Sequence, residues 1–537
     1  MAFPSSSLET WWMFILPTIT SQNYILNNLL LTILIALISI AFLTCTIPKG
    51  GIAWKDGKNQ MGQIPIEGPK GLPIFGILFT LNNNLPHRTL ASLASTLSTT
   101  KQLMAFSLGS IPAVITSNPN IAREILNSPH FSNRPIKQSA KSLMFSRAIG
   151  FAPNGTYWRL LRRISSSHLF SSRRIVAHET GRRLDCAIML SSIAYEQSKH
   201  GFVCLRKHLQ DAALNNIMGT VFGRRLYNRE QCHVKELHEM VREGFELLGA
   251  FNWCDYVSWI SLFYDPYCIR ERCLALAPRV KKFVKKILDE RRMIPSKKIY
   301  DDSDFVDVLL SLEGDEKLQD DDIIAILWEM IFRGTDTTAL LTEWIMAELV
   351  LNQNIQTRLR EELDKVVGNK HNVTDADVTK MPYLEAIVKE TLRLHPIGPL
   401  LSWARLSTSD VQLSNGMVVP ANTTTMVNMW AITHDPNVWA DPLVFKPERF
   451  LKSEGGVELD VRGVDLRLAP FGAGRRVCPG KNLGLVTVSL WVARLVHKFQ
   501  WFQNRTNPVD LTEVLKLSCE MKNPLQVVAI PIDLVKV

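Results

Sequence analysis

The chain predicts one large, mainly α-helical domain with small β-sheets, set behind an N-terminal transmembrane anchor. Three observations predict this. An uninterrupted uncharged run from Leu29 to Ile47 is long enough to cross a bilayer. Residues 205–292 and 322–352 read as long helices, whereas strand-like runs such as Leu103–Leu108 and Ala113–Thr116 are short. Near the C-terminus, the Gly-rich loop Pro470–Gly480 is built to hold one thiolate, that of Cys478, against a metal. With 537 residues, 46% of them hydrophobic, and a mean hydropathy of +0.03, the chain can bury a substantial core as one unusually large domain.

Composition bounds the partners. A net charge of +10 and a pI near 9.1 suit an anionic membrane surface or an acidic protein. The basic residues are scattered and no nucleic-acid motif is present, so nucleic acid is not an expected partner. Nine cysteines at irregular spacing, with no C-x-x-C pair, indicate neither a disulfide framework nor a zinc site. The main body therefore faces a reducing compartment.

Only Glu9 is charged before the apolar run, and Lys49, Lys55 and Lys58 follow it. The positive-inside rule places the body in the cytosol and residues 1–28 in the lumen, with 29–47 as an uncleaved signal anchor. A cleaved signal peptide is the rival, but the run is too long, starts late and lacks a preceding basic residue. Trp11 and Trp12 sit at the luminal interface or on a short interfacial helix. Residues 48–76 are basic, then rich in proline and glycine (Pro65, Gly68, Pro69, Gly71, Pro73, Gly76), and read as a stiff hinge before the 77–537 domain.

Leu103–Leu108 and Ala113–Thr116 flank a Gly-Ser-Ile-Pro turn and predict a hairpin. A helix starts at Tyr157, where Trp158 and Arg162 are four apart and share a face. That pairing suits an anionic ligand; a buried Trp beside a surface Arg is the plainer alternative. Arg159, Arg163, Arg173 and Arg174 add a basic face, either a dock for an acidic redox partner or simply solvated. Trp253, Tyr256, Trp259, Phe263, Tyr264 and Tyr267 are expected mostly in the core, with partial membrane contact. Residues 295–304 read as a surface loop.

The helix over 322–352 carries a defect at Phe332–Thr338. Gly334, Thr335, Asp336 and Thr337 are poor mid-helix residues, and threonine hydroxyls bond back to carbonyls. The expectation is an opened hydrogen-bond ladder with room for dioxygen and water. An acid beside a hydroxyl is what proton delivery to bound oxygen requires, which makes Asp336 and Thr337 catalytic candidates. Glu329, Arg333 and Thr337 recur every fourth residue on one face. The preferred reading is a Glu329–Arg333 pair; the sharper one is that Arg333, beside Gly334, charges the pocket for a polar or anionic substrate.

Glu390 and Arg393 are i,i+3 neighbours on a helix ending before His395-Pro396, and Pro447-Glu448-Arg449-Phe450 follows. Arg405 lies on a strand-like run, and Val527–Ile532 suits a final strand. In the Cys loop, Gly472, Gly474 and Gly480 permit tight turns, and Pro479 opens an apolar helix reaching Leu495. Its N-terminus favours the anionic form of Cys478, and Arg476 can neutralise an anionic group of the same cofactor. A buried inert cysteine is the plain alternative.

Phe471, Gly474, Arg476, Cys478 and Gly480 match F-x-x-G-x-R-x-C-x-G, which resembles the haem-binding loop of the cytochromes P450. Trp158/Arg162, Gly334–Thr338, Glu390/Arg393 and Arg449 resemble that family's other motifs in the same order. Arg333, where the family usually carries a small residue, and Gly398–Arg405 resemble a plant microsomal branch associated with organ-size control. The resemblance implies a cytochrome P450 fold binding haem b, with Cys478 as iron ligand and Phe471, Gly474 and Gly480 shaping its loop. Arg476, Trp158, Arg162 and Arg405 would meet the propionates. Thr337 would organise hydrogen bonds around activated oxygen, and Asp336 would relay protons. Glu390, Arg393 and Arg449 would form a buried network behind the haem. It further implies an endoplasmic-reticulum, single-pass monooxygenase with a cytosolic catalytic domain. Such an enzyme would take O2 and electrons from NADPH–cytochrome P450 reductase to hydroxylate a fatty acid or another small lipophile. NADPH enters indirectly, because no G-x-G-x-x-G segment is present. Two rivals stand beside this: a reductase-independent haem enzyme that rearranges hydroperoxides, and a non-catalytic haem-binding regulator.

Overall fold

The computed structural model describes residues 26–39, 47–81, 85–97, 102–226, 231–257, 259, 264–294, 299–368, 372–401 and 404–532. Trp11, Trp12, residues 40–46 of the expected anchor, Phe263, residues 295–298 and Trp403 lie outside them. Residues 26–39 are helical and exposed, and no helix among the described residues is long and apolar enough to cross a membrane.

The expected hairpin forms from β1 (Met104–Leu108) and β2 (Ile111–Thr116). The segment read as a hinge is packed onto it. Trp54 is fully buried and its indole N–H donates to Phe106 O at 2.9 Å, because an apolar ring with one polar group needs both a core and a partner. Four helices carry the site: α1 (Thr156–His168), α2 (Leu205–Phe222), α3 (Asp320–Leu351) and α4 (Pro382–Leu394). Then β3 (Arg405–Leu406) and β4 (Thr424–Val427) complete a four-stranded sheet, ordered β1-β2-β4-β3. β2 and β4 run parallel with Ala113 opposite Thr424, so the helical body is threaded between them. Last comes α5 (Lys481–Lys498), followed by Phe499–Gln503 and Gln526–Pro531, which pair antiparallel.

α3 is the axis of the molecule. Gln319 and Asp322 form a capping box, and three aspartates in the first turn oppose the helix dipole. Most residues of 323–332 belong to one apolar core, with Phe222, Val284 and Leu288; most of 339–350 belong to another, with Leu392, Trp491 and Leu495. The stretch between them serves neither core and faces a cavity. The predicted defect is milder than expected: α3 is continuous, although Thr335, Thr337 and Thr342 bond back to Ile331 O, Arg333 O and Thr338 O. The hydroxyls share carbonyls with the ladder without breaking it.

Two surface expectations are corrected. Trp259, Tyr264 and Tyr267 are more than half exposed, and Trp253 and Tyr256 only half-buried. They sit on a loop where Phe75, Phe79, Phe251 and Trp253 pack ring against ring at the surface. The four arginines do not form one free basic face. Arg163 pairs with Glu316 and Arg173 with Asp301, while Arg174 is buried and donates to Tyr300 O and Ser303 O.

Candidate active site

The Cys loop closes on itself. The amide of Cys478 donates to Phe471 O at 2.9 Å, and that of Val477 to Gly474 O at 3.1 Å. Gly474 has a φ of 65°, and a Cβ there would lie 2.1 Å from Leu126 O, so both conformation and space demand glycine. Gly480 caps α5, and its amide favours the thiolate of Cys478. The helix N-terminus was expected to make the anion the preferred form. Burial outweighs it and pushes the thiol up, against the pull of Gly480, Arg333, Arg162 and Lys481. A bound metal cation reverses that balance.

Cys478 opens onto a cavity of about 310 Å³ beneath α3. Phe471, Gly480, Arg333, Gly334, Thr337 and Thr338 also line it, so the thiol and the threonines share one space. Its far end is apolar, with Ile217, Val221, Phe245 and Phe332 among its walls. Asp336 itself does not line this space, although Ser518 does. Its carboxyl bonds to Gln210 and Ser518, and burial raises it to about 6. Neighbours in a helix point about 100° apart, so the acid and hydroxyl expected as a contiguous pair face different surroundings.

One wall is basic. Arg162, Arg405, Arg476 and Arg134 all reach the cavity. Burial lowers each of them; like charges lower Arg405 further, to about 10, and Arg476 to about 9. Arg405 donates to Ala473 O at 3.2 Å, yet its buried Nη1 has no hydrogen-bond partner. A desolvated wall of guanidiniums with an unsatisfied N–H calls for an anion. Haem, with two propionates and an iron that takes a thiolate, fits this donor set. Arg134 was missed at sequence level: it lies in an irregular segment after Phe131, where no periodicity marks its direction.

Two expected anion contacts are occupied differently. The indole N–H of Trp158 donates to Ile149 O at 3.0 Å. Arg476 donates to Ser132 O at 2.8 Å, Ile149 O at 2.9 Å and Ala152 O at 2.5 Å, with its guanidinium 4.2 Å from the Trp158 ring centroid. Buried donors take the nearest carbonyls, so these residues hold the cavity wall. Arg333 pairs with Glu329 at 2.8 Å, as preferred, and still lines the cavity.

On α4, Arg393 grips Glu390 through two bonds of 2.8 and 2.9 Å and donates to Thr433 O and Pro442 O. Arg449 donates to the same carboxylate at 3.3 Å and to Asp441 O at 2.6 Å. None of Glu390, Arg393 and Arg449 is among the described residues that line the cavity.

A profile of the cytochrome P450 family matches residues 66–526. Cytochrome P450 78A7 of Arabidopsis thaliana is 62% identical over 531 residues, covering 98% of each chain. Cytochrome P450 78A11 of Oryza sativa subsp. japonica is 57% identical over 97% of this chain and 96% of its own. Flavonoid 3'-monooxygenase of Petunia hybrida is 35% identical over 81% and 85%. A family built on cysteine-ligated haem accounts for a cavity with a lone thiol at one side and guanidiniums at another. The chain belongs to the cytochrome P450 family of haem-thiolate monooxygenases.

Proposed function

We propose that this monooxygenase inserts one oxygen atom from O2 into a C–H bond of a small lipophilic substrate, a fatty acid or fatty-acid-like signal. The second oxygen atom leaves as water, with two electrons from NADPH through NADPH–cytochrome P450 reductase and two protons. The observation that carries this reading is the shared cavity, in which Cys478 and Thr337 meet an apolar pocket. When bound, haem ligated by Cys478 supplies the oxidising chemistry. The chain's own residues do the rest. Arg162, Arg405 and Arg134 bind the cofactor's carboxylates, and Arg476 with Trp158 holds the wall behind them. Thr337 offers a hydroxyl to the cavity, and Asp336, lifted by burial to about 6, exchanges protons near cytosolic pH from the Gln210 and Ser518 side.

Residues 29–47 anchor the enzyme in the endoplasmic reticulum membrane with the catalytic domain in the cytosol, and its product acts in control of organ growth. The positive residues after the apolar run and the exposed aromatic loop support the membrane placement. The test is turnover with a plant reductase and NADPH over a panel of free fatty acids. Hydroxylated products that depend on NADPH and fall at least about tenfold in Thr337→Ala are expected. Products formed from hydroperoxides without NADPH would instead support the rearranging enzyme. Full biological activity of Thr337→Ala would support the regulator.

A further inference from the structure

Residues 144–152 form an irregular strap between the short helix Gln138–Leu143 and α1, and it is fastened at three points. At the first, Arg147 Nη1 donates to Asp322 Oδ1 at 2.5 Å, and the Tyr157 hydroxyl lies 2.9 Å from that oxygen and 3.0 Å from Arg147 O. At the second, the Gly150 amide and Arg333 Nε donate to the same oxygen, Glu329 Oε1, each at 2.8 Å. At the third, Ile149 O and Ala152 O accept from Trp158 and Arg476. Asp322, Glu329 and Arg333 are seven and four residues apart, so one face of α3 holds the strap. Its other edge is held by the arginine of the Cys loop.

Fit and strain both point to a clamp. A Cβ at Gly150 would lie 2.1 Å from Arg333 Nη2 and 2.6 Å from Glu329 Oε1, so the strap backbone is pressed onto the ion pair. The Arg333 guanidinium also lies 5.4 Å from the Phe151 ring centroid. Phe145 and Ser146 hold left-handed φ values of 52° and 54°, a strained pair that persists only where its surroundings over-determine it. Ile149, Gly150 and Phe151 line the cavity, so the position of the strap is the shape of the pocket.

We propose that Glu329 and Arg333 are a clamp that holds this strap on α3 and so shapes the distal pocket, with Arg333 a positioning residue and not a receptor for anionic substrate. Arg333 is held through Nε by a buried carboxylate oxygen that also binds the strap backbone. This rests on the cavity being the haem and substrate site.

The test uses full-length holoenzyme and two probes that bind haem iron through the same imidazole: 1-phenylimidazole and its carboxylate, 4-(imidazol-1-yl)benzoate. Affinities are read from the Soret shift, and strap order from amide hydrogen exchange across residues 144–152. Arg333→Ala and Glu329→Gln/Arg333→Gln should raise strap exchange about tenfold, the loss of one charge-assisted bond. They should change both affinities by the same factor, and Arg333→Lys should restore both readouts. The double variant leaves no unpaired buried charge and covers the case in which Arg333→Ala does not fold. Unchanged strap exchange overturns the clamp. Loss of affinity for the carboxylate probe alone overturns the positioning role. Failure of the protein to bind haem refutes the functional reading instead, and strap exchange in the same variants still judges the clamp.

Discussion

Two clusters of largely buried arginine in this molecule are built on opposite terms. In one, Arg393 and Arg449 surround Glu390, and all three guanidinium nitrogens of Arg393 donate to the carboxylate or to backbone carbonyls. In the other, on the cavity wall, burial lowers Arg134, Arg162, Arg405 and Arg476, neighbouring guanidiniums lower Arg134, Arg405 and Arg476 further, and Arg405 keeps an unmatched buried N–H. The first cluster is complete within the chain. The second is complete only with a ligand. What separates a structural network from a binding wall is therefore whether its charges are satisfied, since both are buried and both are rich in arginine.

The largest expected effect tests the complete cluster. Arg393→Ala strands the Glu390 carboxylate in the core and should cost about 3–5 kcal/mol of stability, seen as a lower Tm of apoprotein and holoenzyme alike. The binding wall should respond the other way. Arg405→Ala removes a guanidinium that the apoprotein cannot fully satisfy, so apoprotein Tm should hold. Haem retention, followed by transfer to apomyoglobin, should weaken about 10- to 100-fold through loss of a charge-assisted bond. Equal losses of apoprotein Tm in the two variants would break the contrast.

The smallest effect sharpens it with a third buried charge. The Asp336 carboxyl is raised by burial to about 6 from an ordinary value of 3.8. Well below the unfolded value of 3.8 it is protonated in both folded and unfolded chains and makes no pH-dependent contribution. As pH rises toward and past 6, the unfolded chain ionises it more readily, so it destabilises the fold increasingly. Asp336→Asn should therefore stabilise the protein by about 3 kcal/mol at pH 8 and by little at about pH 3, measured by denaturant unfolding. Its NADPH-dependent turnover should fall even as its stability rises.

Periodicity and spacing made much of this legible. The α3 helix, the hairpin, the Cys loop, the Glu390–Arg393 pair and the Glu329–Arg333 pair are all local patterns, set by residues a few positions apart. The directions of single side chains were less legible. Trp158 and Arg476 turn to carbonyls of a strap far from Arg476 in sequence, Arg174 turns inward, and Asp336 bonds to Gln210 and Ser518. Arg134 carried no local signal at all.

By itself, then, the sequence determined the family, the Cys loop, the α3 helix and the membrane expectation, because each is written in short-range chemistry: glycine where φ is positive, apolar faces at helical spacing, a long uncharged run. Only the tertiary structure decided which buried charges are satisfied and which await a ligand, and that a strap ties α3 to the Cys loop. Those outcomes depend on which carbonyls happen to lie within hydrogen-bond reach once distant segments pack, and no local pattern of residues encodes that distance.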